Sequence, residues 1–297
     1  MDVSVYDEIV SFIGNFKGLS KNCSKKLEEL FPSINSDTLY SILCNEYQRK
    51  MRRIYGKTQN NRDYFWKLFW EKIDREKPGM LVKIAEEHEI PPCLIAKLIL
   101  QKYYEGEADE ENLDKEPATK LYLYLKNTSL ISDGQLAQEI FLCTVYDSLY
   151  SPLADIMKKS LGQQYEIRLQ KEATQRGLVF RDEESLRKYG YDKTPDLKLE
   201  APVAVDGFIV NWVESKALFA DEDIHKDYMK SQYLSYWNRF GSGLIIYWFG
   251  YLKTINASPD KRFIIRDHLP ANLTTILPAN QSIIPDEMKE LTTHQTV

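Results

Sequence analysis

From about Leu161 the apolar residues of this chain change their period, and that change limits the fold more than any other feature of the sequence. Up to about Lys159 they recur at helical spacing almost throughout. Beyond Leu161, short runs rich in β-forming residues alternate with helical stretches. The expected fold class is therefore α/β (α+β), with a helical region over 1–159, a mixed sheet flanked by helices over 160–279, and a polar tail over 280–297.

In the first region Leu27, Leu30 and Phe31 share a helical face that Pro32 stops. Ser36 or Asp37 is the expected N-cap of the next helix, which carries Leu39, Ile42, Leu43, Tyr47 and Met51 on one side and ends in the basic run through Arg53. Short helix, turn and longer helix make a helix-turn-helix unit. A second unit pairs Met80–Ala85 with Leu94–Tyr104 across Glu89-Ile90-Pro91-Pro92, with a proline in the first turn of its second helix. Glu105–Glu116 reads as an acidic, exposed connector. Ser132-Asp133 caps a helix expected to turn Leu136, Ile140, Phe141 and Val145 inward, and Ser151-Pro152 ends it and starts another.

In the second region a helix over Gly162–Gln175 precedes strands at Leu178–Phe180, Thr194–Leu199 and Phe208–Ala217. Asp206-Gly207 supplies the turn that makes the last two antiparallel neighbours. Asp227–Phe240 reads as a helix, Gly241-Ser242-Gly243 as its break, and Leu244–Phe249 as a buried strand.

With 297 residues, a net charge of −5 and ordinary apolar and charged fractions, a general nucleic-acid coat is disfavoured, although a local basic face is not. No apolar run has the length of a bilayer span, so no membrane partner is expected. The first fifteen residues are acidic and hold no basic residue, which argues against a secretory or transit peptide. Cys23, Cys44, Cys93 and Cys143 form no CxxC pair, and free thiols place the chain in nucleus or cytoplasm.

The chemistry concentrates in Thr194-Pro195-Asp196 and Glu214-Ser215-Lys216. Side chains two apart on a strand face the same way, so Glu214 and Lys216 point together while Ser215 turns to the other face. Asp196 on the neighbouring strand closes the third corner. Such a pattern arises by chance in roughly one chain in ten at ordinary composition, so its position on strands is what gives it weight. Two carboxylates and an ammonium suit metal-dependent phosphodiester hydrolysis with Mg²⁺ or Mn²⁺. Asp196 and Glu214 are the proposed ligands, and the Ser215 carbonyl is a further one. Lys216 orients or deprotonates the attacking water and stabilises phosphate charge. Glu166, on the preceding helix, is an additional metal candidate or else a solvated glutamate. Gln232, on the later helix, contacts the water or a phosphate or else lies on the surface.

Arg49, Lys50, Arg52, Arg53 and Lys57 are a candidate phosphate-binding cluster. The same run would serve as a nuclear import signal or as a solvated helix end whose cations favour the dipole. Early residues of that helix, Asp37, Thr38 and Tyr40, offer little base-reading chemistry, which favours structure-selective over sequence-specific DNA binding. The aromatic residues from Tyr233 to Tyr251 read mostly as core, with an exposed remainder as a protein anchor. Asp192 and Lys193 read as turn residues, Asp221-Glu222-Asp223 as a loop, and His225 as a surface residue.

The runs Tyr189-Gly190-Tyr191-Asp192-Lys193-Thr194-Pro195-Asp196, Pro202-Val203-Ala204-Val205, Trp212-Val213-Glu214-Ser215-Lys216-Ala217 and Tyr236-Trp237-Asn238-Arg239-Phe240-Gly241 closely resemble the codanin-interacting nucleases, the TPD-motif family. The resemblance covers most of the chain and is densest from Tyr189 to Gly250. It implies helix-turn-helix domains in front of a restriction-endonuclease-like sheet, similar to PD-(D/E)xK nucleases such as archaeal Holliday-junction resolvases. By position it makes Asp196 and Glu214 metal ligands, Lys216 the catalytic lysine, Glu166 the helical acidic residue and Gln232 the later polar one. It implies a DNA endonuclease, acting on branched DNA, with a codanin-like protein as partner. The animal members are linked to histone-chaperone traffic and erythroid differentiation. A binding module with a nuclease fold and weak or no catalysis is the alternative, and a DNA-binding regulator built on the helical half is a third reading.

Overall fold

The computed structural model describes residues 1–74, 76–105, 117–257 and 260–275. Two compact units divide it: Ser4–Ser160, and Met1–Val3 together with the chain from Leu161. The acidic connector beyond Glu105 and the polar tail lie outside the described residues.

The first unit is helical: α1 (Val3–Asn15), α2 (Ser20–Leu30), α3 (Ser36–Asn60), α4 (Arg62–Lys72), α5 (Met80–Glu87), α6 (Pro92–Glu105), α7 (Pro117–Lys126) and α8 (Gly134–Tyr146). Its core gathers Phe65, Phe69, Leu81, Ile84, Ile95, Ile99, Leu136 and Ile140. Along α3 the expected stripe of Leu39, Ile42, Leu43, Tyr47 and Met51 is buried. The cap of α3 is Asn35, not Ser36 or Asp37: its Oδ1 accepts the Asp37 N–H at 2.7 Å. α3 also continues past Arg53 to Asn60, so the basic cluster lies within a helix and not at its end.

On α8 the expected cap holds, with Asp133 Oδ1 accepting from Leu136 N at 2.8 Å. Its inward face differs from the expectation. Leu136, Glu139, Ile140 and Cys143 form the buried stripe, which turns Phe141 and Val145 outward to about half exposure. Leu30 of α2 is likewise exposed.

α9 (Pro152–Gln175) is one continuous helix that joins the two segments expected on either side of Leu161. It leads into β1 (Phe180–Asp182), α10 (Glu183–Lys188), β2 (Leu197–Val205) and β3 (Phe208–Lys216). α11 (Glu222–Tyr228), a π-helical turn (Met229–Tyr233) and α12 (Leu234–Phe240) then cross over to β4 (Gly243–Tyr247), followed by β5 (Phe263–Arg266) and β6 (Leu273–Thr275). The sheet order is β1-β2-β3-β4-β5, with β6 also paired to β2. β1, β2, β3 and β6 pair antiparallel, whereas β3, β4 and β5 run parallel, so the sheet is mixed as expected.

Asp206 (φ 49°) and Gly207 (φ 79°) both take the left-handed conformation that a tight β2–β3 hairpin needs. One face of the sheet packs Val213, Leu244 and Ile246 against Leu169 and Ala173 of α9. The other packs Trp212, Ile245 and Tyr247 against Tyr233 and Tyr236 of the crossover. Glycine is required at 243, because a Cβ there would lie 2.1 Å from the Trp212 ring. Asp221-Glu222-Asp223 is not a loop. Asp221 caps α11, its Oδ1 accepting from Asp223 N and Ile224 N at 3.1 Å, and the helix starts well before Asp227.

Candidate active site

Strand alternation places Glu214 and Lys216 on one face of β3, where Lys216 Nζ and Glu214 Oε1 are 2.5 Å apart. Ser215 faces the other way, and its Oγ accepts from Trp248 Nε1 at 2.8 Å. Asp196 stands at the entrance to β2, one residue before the strand. The pairing of Leu197 with Val213 brings it beside Glu214. Two hydrogen bonds lock this corner: Ser215 N donates to Asp196 Oδ2 at 2.7 Å, and Asp196 N donates to Glu214 Oε2 at 3.3 Å. The three charged groups therefore converge, although eighteen residues separate the two carboxylates.

Burial sets the electrostatics. Glu214 is 3% exposed. Loss of solvent, and then the Glu214 charge, hold the Asp196 carboxyl well above the ordinary carboxylate range, and only Lys216 and the Ser215 N–H oppose this. Burial raises Glu214 as well, against the pull of Lys216. For Lys216, burial works to lower the pKa, but Glu214 and Asp196 overcome it and leave the ammonium favoured. A lysine that serves as a base needs the opposite shift, whereas an ammonium kept charged suits the stabilisation of phosphate charge.

The donor set suits a hard divalent cation. It is made of oxygen, and two buried carboxylates that repel each other gain most from a positive ion between them. Among the described residues no three His, Cys, Asp or Glu side chains form a ligand group, so Asp196 and Glu214 would be completed by the Ser215 carbonyl, water or substrate. The Ser215 hydroxyl is committed to Trp248 and its N–H to Asp196. Glu166 of α9 stands in the same field: burial raises its pKa, Glu183 adds to the shift, and Lys216 opposes it. Gln232 lies in the π-helical turn, and its Oε1 is buried without a hydrogen-bond partner among the described residues. A π-turn often marks a functional segment, and an orphaned acceptor needs a donor from water or substrate.

The remaining expected residues divide. Arg49 is paired with Glu46 at 2.5 Å and Lys50 with Glu89 at 2.7 Å, while Arg52 and Arg53 are exposed. Two of the five cluster residues, Arg49 and Lys50, are thus neutralised within their own unit. His225 is buried, not on the surface, with Nδ1 2.9 Å from Tyr247 Oη. Asp192 and Lys193 do more than turn the chain: Asp192 binds Arg239 at 2.5 Å, and Lys193 Nζ donates to the Ser231 carbonyl at 2.8 Å. Two neighbours were not singled out from sequence. Glu183, the first residue of α10, raises both Glu166 and Glu214. The Tyr228 ring lies under Lys216, with its centroid 4.8 Å from Nζ. Glu183 lies in the charged run Arg181–Glu184, which reads as an ordinary solvated helix start, and Tyr228 lies in no charged triplet, so neither stood out by spacing.

Residues 132–269 match the family model described as a protein of unknown function with the TPD sequence motif. Relatives span nearly the whole chain. CDAN1-interacting nuclease 1 of Xenopus laevis is 37% identical over 276 residues, covering 91% of this chain and 89% of the relative. The proteins of the same name from Danio rerio and Homo sapiens are 36% and 35% identical, covering 93% and 91% of this chain and 91% and 96% of their own. No solved structure matches the chain.

Proposed function

This chain belongs to the family of CDAN1-interacting nucleases, and on that premise we propose that it is a metal-dependent DNA endonuclease of the PD-(D/E)xK type that also binds a codanin-like protein. The observation that carries the reading is the meeting of Asp196, Glu214 and Lys216 in one buried corner of the sheet. A divalent cation held there would polarise the phosphoryl group and acidify water. Asp196 and Glu214 bind and orient it, and burial makes each of their charges count for more than it would in water. Lys216 offers a fixed ammonium to the charge that builds on the phosphoryl oxygens. The Gln232 Oε1, lacking a partner, is available to a water or nucleotide donor. With little base-reading chemistry in the early residues of α3, Asp37, Thr38 and Tyr40, DNA shape rather than base sequence is the expected determinant, and branched DNA is the proposed substrate class.

Cleavage of a fluorescein-labelled four-way DNA junction in Mg²⁺ or Mn²⁺ tests this. Asp196→Asn, Glu214→Gln and Lys216→Ala should each lose about 10³-fold in rate with an unchanged circular dichroism spectrum. Undiminished cleavage by Asp196→Ala/Glu214→Ala would end the reading.

One observation favours a second reading, a nuclease-fold module that binds its protein partner with little catalysis. Glu214 is almost sealed from solvent and already paired to Lys216. In that case the same variants would leave a codanin-like partner's affinity unchanged, and no junction or linear DNA would be cut by the wild-type chain.

A further inference from the structure

We propose that Tyr228 is the positioning residue for Lys216, holding its ammonium by the face of its ring; this rests on the nuclease reading of the same corner. Lysine has a long, freely turning stem, and a catalytic ammonium must be held in place. Two restraints act on Nζ: Glu214 Oε1 at 2.5 Å and the Tyr228 ring at 4.8 Å. The first is shared. A carboxylate that binds a divalent cation has less negative charge to spare for a lysine. The neutral ring face competes weakly for that cation, yet in a desolvated site it still attracts an ammonium. It therefore keeps Lys216 in place when Glu214 is engaged elsewhere.

The ring is itself held from behind. Tyr228 stacks on Tyr233 at 6.0 Å between centroids, with 24° between planes. Tyr233 Oη lies 3.2 Å from Tyr247 Oη, and Tyr247 Oη lies 2.9 Å from His225 Nδ1. Tyr233 and Tyr247 are wholly buried. The π-helical turn explains how residues five apart come to stack. In an α-helix they diverge, whereas i→i+5 bonding over Met229–Tyr233 brings them to one side. The irregular turn thus joins the catalytic lysine to a rigid aromatic support in the core.

The test separates ring from hydroxyl and position from activity. The full chain is labelled with ¹³C-lysine, and the Lys216 ε-methylene resonance is assigned by its loss in Lys216→Arg. Ring current from Tyr228 should shift it upfield. Tyr228→Phe should keep that shift, and its kcat on the labelled junction should stay within about twofold of wild type. Tyr228→Leu should lose the shift and about 10- to 30-fold in kcat, with KM unchanged. Tyr228→Met serves as a second non-aromatic variant, and the melting temperature of each is measured. An upfield resonance that persists in Tyr228→Leu overturns the proposal, as does a Phe variant that falls as far as Leu. If the wild-type chain cuts nothing, the nuclease reading fails, and the lysine resonance alone then decides whether Tyr228 holds Lys216.

Discussion

Buried carboxylates occur in both units, and the Asp196–Glu214 pair of the sheet unit is satisfied in the opposite way to Glu139 and Asp147 of the helical unit, whereas Asp221 of the sheet unit accepts backbone N–H groups as those two do. In the helical unit Glu139, 1% exposed, accepts the backbone N–H groups of Gly79 and Leu81 at 2.7 and 2.9 Å. Asp147 accepts those of Cys93, Leu149 and Tyr150 at 2.8 to 2.9 Å. Each stands alone with donors that have no other role, and Glu139 and Asp147 close the starts of α5 and α6. In the sheet unit Asp196 and Glu214 sit side by side, sharing one lysine and two backbone donors. Burial alone therefore does not mark a functional acid. A second acid in the same pocket, with too few donors for both, does so.

The largest test of this contrast is Asp147→Ala. It leaves three N–H groups, two of them buried, without an acceptor and should cost about 3 kcal/mol of folding stability in urea titration, with no residue of the candidate site touched. A loss under about 1 kcal/mol would mean that water replaces the carboxylate and that the contrast is weaker than drawn. Next comes Asp196→Asn. Removing one of two repelling charges should leave stability unchanged or raise it by about 1 kcal/mol in the same titration while cleavage disappears. A marked loss of stability would show that Asp196 is a structural acid like Asp147.

The smallest effect sharpens the contrast at the surface. Lys17, then Lys50, lower the pKa of Glu89 below its ordinary 4.5. The folded chain then binds this proton less tightly than the unfolded one. The ion pairs therefore stabilise above pH 4.5 and lose their contribution as the pH falls through the lower folded value. Glu89→Gln should cost under about 1 kcal/mol at neutral pH and progressively less as the pH falls below 4.5, and the cost should shrink in high salt. A cost that does not fall with pH would assign it to packing instead.

Much of the second unit was legible because strand alternation and the Asp206-Gly207 turn are local signals. The same alternation put Glu214 and Lys216 on one side and Ser215 on the other. Helix ends were less legible. Asn35 displaced Ser36 as a cap, and α3 ran on through its basic residues, since capping depends on the conformation of a single residue. Phe141 and Val145 looked like core because their spacing fits a helical face, but α8 buries an adjacent face that includes the charged Glu139. His225 looked like surface because nothing in its neighbourhood reveals the Tyr247 hydroxyl that receives it.

Sequence alone determined which residue types could do chemistry here and which of them share a strand face, because both follow from a two-residue period along one segment. Tertiary structure alone decided that Asp196 meets Glu214, that the Tyr228 ring meets Lys216, and that Gln232 keeps an oxygen unpaired among the described residues. Those contacts come from strand register and from one π-helical turn, and both are set by packing between distant segments.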